Sequence, residues 1–289
     1  MKPSNGITPL AVKVFSIGSG ERMALKIIVG VKWVPNTQVV NIDPKTGTLI
    51  REGVPSIINP HDLNAVELAL SLKERYGGTV TAISMAPISA KMGLEFVLGM
   101  GVDKAVLISD PTFAGADTLA TSYTLAKAIE KLSPFDIILV GQETIDSSTA
   151  HIGAQIASWL KIPYLYYVTD VEVIDKKLRV KRRLEKSIEV YELPLPSLIA
   201  VAMKSNKPRP VRLLYKLRAK MEHAIEIWSN RELRLNQRCV GLNGSPTKVE
   251  KIVPTPSIPR RKERFEGSDV KEAVRWLLDK LEKEGVRLV

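Results

Sequence analysis

The sequence predicts an α/β fold: an open, mostly parallel sheet with helices on both faces, an antiparallel extension, and an extended C-terminal arm ending in a helix. Three observations lead there. From residue 25, short continuous apolar runs alternate with amphipathic stretches at helical spacing. Strands buried on both faces read as such runs, and helices between them make neighbouring strands parallel, a Rossmann-like alternation. After residue 163 the texture changes to short strands with polar turns, and from about 204 to 265 the chain is rich in Pro, Arg and Lys with little periodicity.

Taken in order, Leu25–Val31 is a buried strand by its β-branched content. Residues 39–50 read as a hairpin with turn chemistry from Asp43 to Gly47. Leu63, Val66, Leu70 and Leu72 recur at helical spacing and place a helix over Asp62–Arg75. A strand at Thr79–Ser84, a helix at Ala90–Met100, a strand at Ala105–Ile108 and a helix from about Ala116 to Lys131 follow. Asp136–Gly141 is the next strand and Ser147–Leu160 the next helix. Tyr164–Val168, Val171–Ile174, Leu178–Leu184 and Ser187–Leu193 form the antiparallel extension, and Ser197–Ala202 returns to a buried strand. The last helix, Ser268–Glu284, has a serine cap, acidic residues in its first turn and Gly285 just past its end. The expected organisation is an N-terminal extension over 1–22, an α/β domain over 23–203, and a partner-wrapping arm with its helix over 204–289. Residues 1–22 are expected to be disordered, the alternative being an additional edge strand.

With 45% hydrophobic and 25% charged residues, the chain has the apolar material for a real core. The single cysteine, Cys239, can form neither an intramolecular disulfide nor a metal cluster, which fits a reducing cytoplasmic compartment. No run of about 18 apolar residues occurs, so no membrane span is expected. Residues 1–150 carry 13 Lys and Arg against 14 Asp and Glu, while residues 151–289 carry 29 against 17. All of the net charge of +11 therefore lies in the second half. Its basic stretches, Lys181–Arg183 and Arg260–Lys262, lack the interleaved aromatics that stack on bases. An acidic protein partner or plain surface solvation explains them better than nucleic acid.

The most informative segment runs Gly141, Gln142, Glu143, Thr144, Ile145, Asp146, Ser147, Ser148, Thr149, Ala150, His151, Ile152 and Gly153. It leaves a core strand and enters a helix, and open α/β sheets bind ligands beyond the carboxyl ends of their strands. Gly141 permits close backbone approach. Ser147, Ser148 and Thr149 fall where N–H groups of a new helix are unpaired and attract phosphate. The competing reading is an ordinary cap made by Asp146 or Ser147. Asn59, Pro60, His61 and Asp62 precede another helix, with Asp62 as its cap or Asn59 as a donor to a ligand's polar edge. Gly30, near the end of the first strand, admits a ligand close to the backbone. His61, His151 and His223 have no metal-ligand spacing, and no HExxH, CxxC or GxSxG sequence occurs. No catalytic residue and no metal site are expected.

Many ordered segments resemble the electron-transfer flavoprotein beta-subunit family, from about residue 24 to the end. They include Val31–Lys32, Ile58–Asp62, Ser84–Pro87, Met100–Asp103, the Gly141–Gly153 loop, Val180–Glu185, Leu193–Ile199, Asn206–Arg209 and Leu217–Lys220. The resemblance implies a heterodimer with an alpha subunit that holds most of one FAD. It implies that Gly30, Asn59 to Asp62, Met85 and Gly141 to Ile152 line a nucleotide site. Members serving acyl-CoA dehydrogenases hold AMP there. Electron-bifurcating members hold a second FAD, which takes a hydride from NADH and sends its electrons along two paths. This chain departs from the family at Glu185-Lys186-Ser187, where the family has a Glu-Gly-Gly turn. It also has Ser205 where dehydrogenase-docking members present an exposed leucine, an anchor worth roughly 2 kcal/mol when buried. Thr149–Gly153 is closer to the loop of bifurcating members, with His151 for a glutamine. The reading favoured is thus an FAD-holding beta subunit oxidising NADH with its alpha subunit and passing electrons to ferredoxin, a quinone-linked protein or a dehydrogenase. The alternatives are an AMP-holding beta subunit and, from another class, an adenine-nucleotide sensor, against which the Pro- and Arg-rich arm argues.

Overall fold

The computed structural model describes residues 24–36, 41–42, 49–50, 55–248 and 262–286. The chain forms two compact units, Met1–Val249 and Glu250–Val289.

The first unit is built on nine strands: β1 Leu25–Gly30, β2 Gly78–Met85, β3 Lys104–Ile108, β4 Ile137–Gly141, β5 Tyr164–Ile174, β6 Lys177–Arg183, β7 Ile188–Pro194, β8 Ser197–Val201 and β9 Ile225–Trp228. Its longer helices are α1 Pro60–Tyr76, α2 Lys91–Met100, α3 Thr118–Lys131, α4 Ile152–Leu160 and α5 Leu213–Met221. The strand order is β7-β6-β5-β8-β4-β1-β2-β3-β9. Every pairing from β5 to β9 across this order is parallel, and only β5-β6 and β6-β7 are antiparallel.

The apolar runs are continuous because both faces are covered. Leu25, Ile27, Val29, Ile137 and Leu139 point to one face, against Val66, Leu70, Leu94 and Leu98 of α1 and α2. Ile28, Ile138 and Val140 point to the other, against Ala126 and Ile129 of α3 and Ile156 and Ala157 of α4. The chain winds outward through β1, β2 and β3, then returns through α3 to place β4 on the other flank of β1. The winding direction thus reverses between β1 and β4, the point where such sheets open a crevice.

Several expectations shift in detail. The two strands expected over 164–174 are one strand, with a register irregularity against β8 where Tyr167 takes a left-handed backbone, φ 60°. Asp175 and Lys176, at φ 47° and 61°, make the two-residue turn that joins β5 to β6, as a type I′ hairpin requires. The hairpin expected over 39–50 is present as a ladder of Asn41–Ile42 with Leu49–Ile50, and its Asp43–Gly47 turn lies outside the described residues. So do residues 1–22. The segment expected to be an arm from 204 onward supplies α5 and β9, so the sheet itself extends past residue 203.

In the second unit, α6 spans Val270–Lys283. Its cap is Asp269 rather than the expected Ser268: the Asp269 carboxylate accepts the Lys271 N–H at 2.7 Å. Gly285 ends it at φ 77°, a backbone that glycine adopts without strain. Phe265 packs on Trp276 with ring centroids 6.0 Å apart.

Candidate functional site

A cavity of about 1430 Å³ opens at the carboxyl ends of β1, β2, β3 and β4, where Gly30, Met85, Ile108 and Gly141 reach it. Its floor is apolar, with Ile83, Ile138, Val140 and Ile156. The 141–153 loop forms one wall, residues 113–118 form another, and Pro246–Thr247 contribute at the edge.

The first half of the loop is shaped by α1 and the end of β1. Asp62 is buried, and its carboxylate accepts the Lys32 N–H at 2.8 Å and the Gly141 N–H at 3.1 Å, tying β1 to β4 at the crevice. Burial pushes its pKa up to about 7, opposed by the N–H donors of Lys32 and Gly141, by Asn59 and by the Lys32 charge. Asn59 is fully buried; its amide donates to the Glu143 carbonyl at 2.9 Å and accepts the Ile145 N–H at 3.3 Å. The Lys32 ammonium donates to both oxygens of Asp146 at 2.9 and 2.7 Å. Burial raises the Asp146 pKa, but hydrogen bonds from Lys32, Thr144 and Ser147 and the Lys32 charge more than offset it and hold the carboxyl below its ordinary value. Gly141 is required by α1: a Cβ there would lie 2.4 Å from the Asp62 carboxylate and 2.7 Å from the His61 backbone. His61 itself is buried, with Nε2 3.8 Å from Glu143, and desolvation lowers its pKa.

The second half differs from expectation. Helix α4 begins at Ile152, not at Ser147, with His151 as its cap residue. Ser147 to Thr149 are therefore loop, and the Ser148 N–H donates to the Thr144 carbonyl at 2.9 Å in a turn of its own. Ser148 and Ala150 are left-handed, at φ 49° and 54°, while His151 is right-handed, at φ −93° and ψ −30°. Neighbouring residues of opposite hand turn successive N–H groups into one concavity, a nest suited to an anion. Asn59 precedes α1 without a side-chain capping bond, Pro60 opens its first turn, and Asp62 is not its cap. Gly153 packs where a Cβ would lie 2.9 Å from the Tyr166 hydroxyl, which accepts the Ala154 N–H at 3.2 Å.

Of the residues singled out from the sequence, Gly30, Asp62, Met85, Gly141 to Thr144, Ser147 and Thr149 to Ile152 line the cavity. Asn59, Pro60, His61, Ile145, Asp146 and Ser148 do not. Sequence reasoning missed Lys32, Asp117, Thr118, Gln155, Tyr166 and Thr247, all of which line it. Asp117 carried a readable signal, as an aspartate at the start of a helix: its carboxylate accepts the Leu119 and Ala120 N–H groups at 3.0 and 3.1 Å. Tyr166 had none, since it reaches the cavity from β5, two places from β4 in the sheet. Among the described residues no group of side chains could hold a metal ion, and no helix is long and apolar enough to cross a membrane.

Residues 46–231 match the family described as the electron transfer flavoprotein domain. The electron transfer flavoprotein subunit beta of Thermoanaerobacterium thermosaccharolyticum is 44% identical over 262 residues, covering 91% of this chain and all of that protein. The caffeyl-CoA reductase-Etf complex subunit CarD of Acetobacterium woodii is 43% identical over 263 residues, again covering 91% and 100%. Protein FixA of Azotobacter vinelandii is 39% identical over 249 residues, covering 84% of this chain and 88% of its own. With its matching domain, its near-complete alignment to these relatives and its switch-point crevice, the chain belongs to the electron-transfer flavoprotein beta-subunit family.

Proposed function

We propose that this beta subunit pairs with an alpha subunit, holds FAD in its own cavity, and passes electrons from NADH towards the alpha-subunit FAD and a second acceptor. The observation carrying this reading is a cavity of about 1430 Å³ with an anion nest on one wall and an apolar floor. Pockets for small ligands span about 300–1,000 Å³, so a dinucleotide has room where a mononucleotide would leave much space unfilled. The similarity to a subunit of the caffeyl-CoA reductase-Etf complex supports coupling to a second acceptor.

The residues present fit the cofactor. Thr149 and the N–H groups of the Ala150–His151 nest would take the pyrophosphate, the N-terminal end of α4 would add its dipole, and Met85 would flank the adenosine half. Asn59, expected beside the adenosine, has its amide committed to Glu143 and Ile145, and its part is to shape the loop. The Lys32–Asp146 pair holds the same loop. When bound, FAD supplies hydride acceptance from NADH and one-electron donation. The chain's own contribution is to fix the pyrophosphate, exclude water from the apolar floor and hold the crevice open through Asp62.

Anaerobic titration of the purified heterodimer with NADH tests this reading. Bleaching of two flavins per heterodimer is expected. Bleaching of at most one, in a complex that holds AMP, would contradict it.

A further inference from the structure

The cavity carries almost no positive charge. Among the described residues that line it, Lys32 is the only lysine or arginine, and its ammonium is committed to Asp146. Asp62, Asp110, Asp117 and Glu143 line the same cavity. A bound anion therefore meets mostly neutral N–H and O–H donors. The first turn of α4 gathers such donors, because its N–H groups have no partner inside the helix. His151, the residue before it, makes no side-chain bond to them. The partner comes from another element. The Tyr166 hydroxyl of β5 accepts the Ala154 N–H at 3.2 Å, and the Gly153 N–H also donates to it. A Cβ on Gly153 would lie 2.9 Å from that oxygen, so glycine there lets the phenol sit against the helix end.

The strand is built to aim this side chain. Leu165 pairs with Ile199 and Val168 with Val201, so Tyr166 and Tyr167 together stand opposite Ala200. Such a bulge re-aims side chains beside functional sites, and Tyr167 takes its left-handed backbone to make it. The Tyr166 ring packs at steep angles against Tyr164 and Tyr167, with centroids 6.1 and 6.3 Å away. A phenol has one O–H to donate besides the lone pairs of its oxygen. With two N–H groups on the oxygen, that O–H points away from α4, and among the described residues it makes no hydrogen bond of its own. Burial raises the Tyr166 pKa against the pull of the Ala154 and Gly153 N–H groups, so the phenol keeps its proton at neutral pH. Hydrogen bonds in a chain polarise one another, and the two N–H donors make this O–H a better donor in turn. We propose that Tyr166 is a nucleotide-binding residue of the cavity, its O–H donating to a phosphoryl oxygen held by the Ala150–His151 nest. The inference rests on the reading of the cavity as a nucleotide site, and it applies to FAD and AMP alike. The phenol collects the N-terminal donors of α4 and presents the ligand with one polarised O–H in their place.

The test uses the heterodimer stripped of its nucleotides and, as probes, AMP, FAD and adenosine, which lacks the phosphate. Dissociation constants are measured for the wild type, for Tyr166→Phe, which removes only the hydroxyl, and for Tyr164→Phe, whose exposed ring does not line the cavity. AMP and FAD are expected to bind Tyr166→Phe at least tenfold more weakly, with adenosine unchanged. Tyr164→Phe should match the wild type throughout. A second readout keeps the hydroxyl: with 3-fluorotyrosine placed at position 166, the fluorine resonance should shift on addition of AMP and far less on addition of adenosine. An unchanged AMP constant in Tyr166→Phe, with only the unliganded stability lowered, would reduce Tyr166 to a helix cap and overturn the proposal. Equal weakening of AMP and adenosine would do the same, as would a fluorine resonance indifferent to AMP or a wild type that binds neither nucleotide. A wild type that binds AMP but not FAD would instead remove the flavin reading and leave the AMP comparison standing.

Discussion

At the scale of single residues, the site divides into side chains facing the cavity and side chains that hold those in place. Thr149 belongs to the first group. Thr149→Val should weaken nucleotide binding about tenfold, roughly 1–2 kcal/mol, by removing one hydroxyl bond to phosphate. A titration giving an unchanged dissociation constant would remove Thr149 from the site. Asp62 belongs to both groups. Its folded-state pKa of about 7 lies above its ordinary value of 3.8 because burial favours the protonated form. A group raised on folding contributes stability that is full at low pH and lost as pH climbs through the folded value. Wild-type stability should therefore carry a component that falls between about pH 4 and pH 7. Asp62→Asn should abolish that component, at a cost of about 1–3 kcal/mol in acid, since one of two buried N–H donors loses its acceptor. Urea midpoints at the two pH values measure both effects, and an equal fall in wild type and variant would show that Asp62 does not titrate in this range.

At the scale of elements, much of the order was legible. Parallel strands buried on both faces leave continuous apolar runs, so β1 to β4 and α1 to α3 could be placed within a few residues. The start of α4 could not. Ser147, Ser148 and Thr149 look like a cap in sequence, but Ser148 and Ala150 adopt left-handed backbone that neither residue type announces. Strand β9 was missed because four residues after a basic stretch give no period to read, and only pairing with β3 reveals them. Gly141 was legible as a close-approach position, yet what approaches is α1. Gly141→Ala would press a methyl group into the Asp62 carboxylate and the His61 backbone. Overpacking of that kind costs about 1–3 kcal/mol. A lowered urea midpoint is the expected result, and wild-type stability in the variant would mean that α1 and β4 are not in contact there.

For the whole molecule, the reversal of winding between β1 and β4 explains why one crevice collects four strand ends, the 141–153 loop and the N-terminal residues of α1. Fold class was legible because it follows from topology, and so was the position of the crevice. The supporting hydrogen bonds of Asn59, Asp62 and Lys32 were not, because each joins residues between 30 and 114 positions apart. The central claim is that this crevice holds FAD. It is tested most directly by denaturing the purified heterodimer and quantifying its released nucleotides by chromatography. Two FAD per heterodimer and no AMP is the result expected; one FAD with one AMP would contradict the claim and make the chain a subunit of a simple electron shuttle.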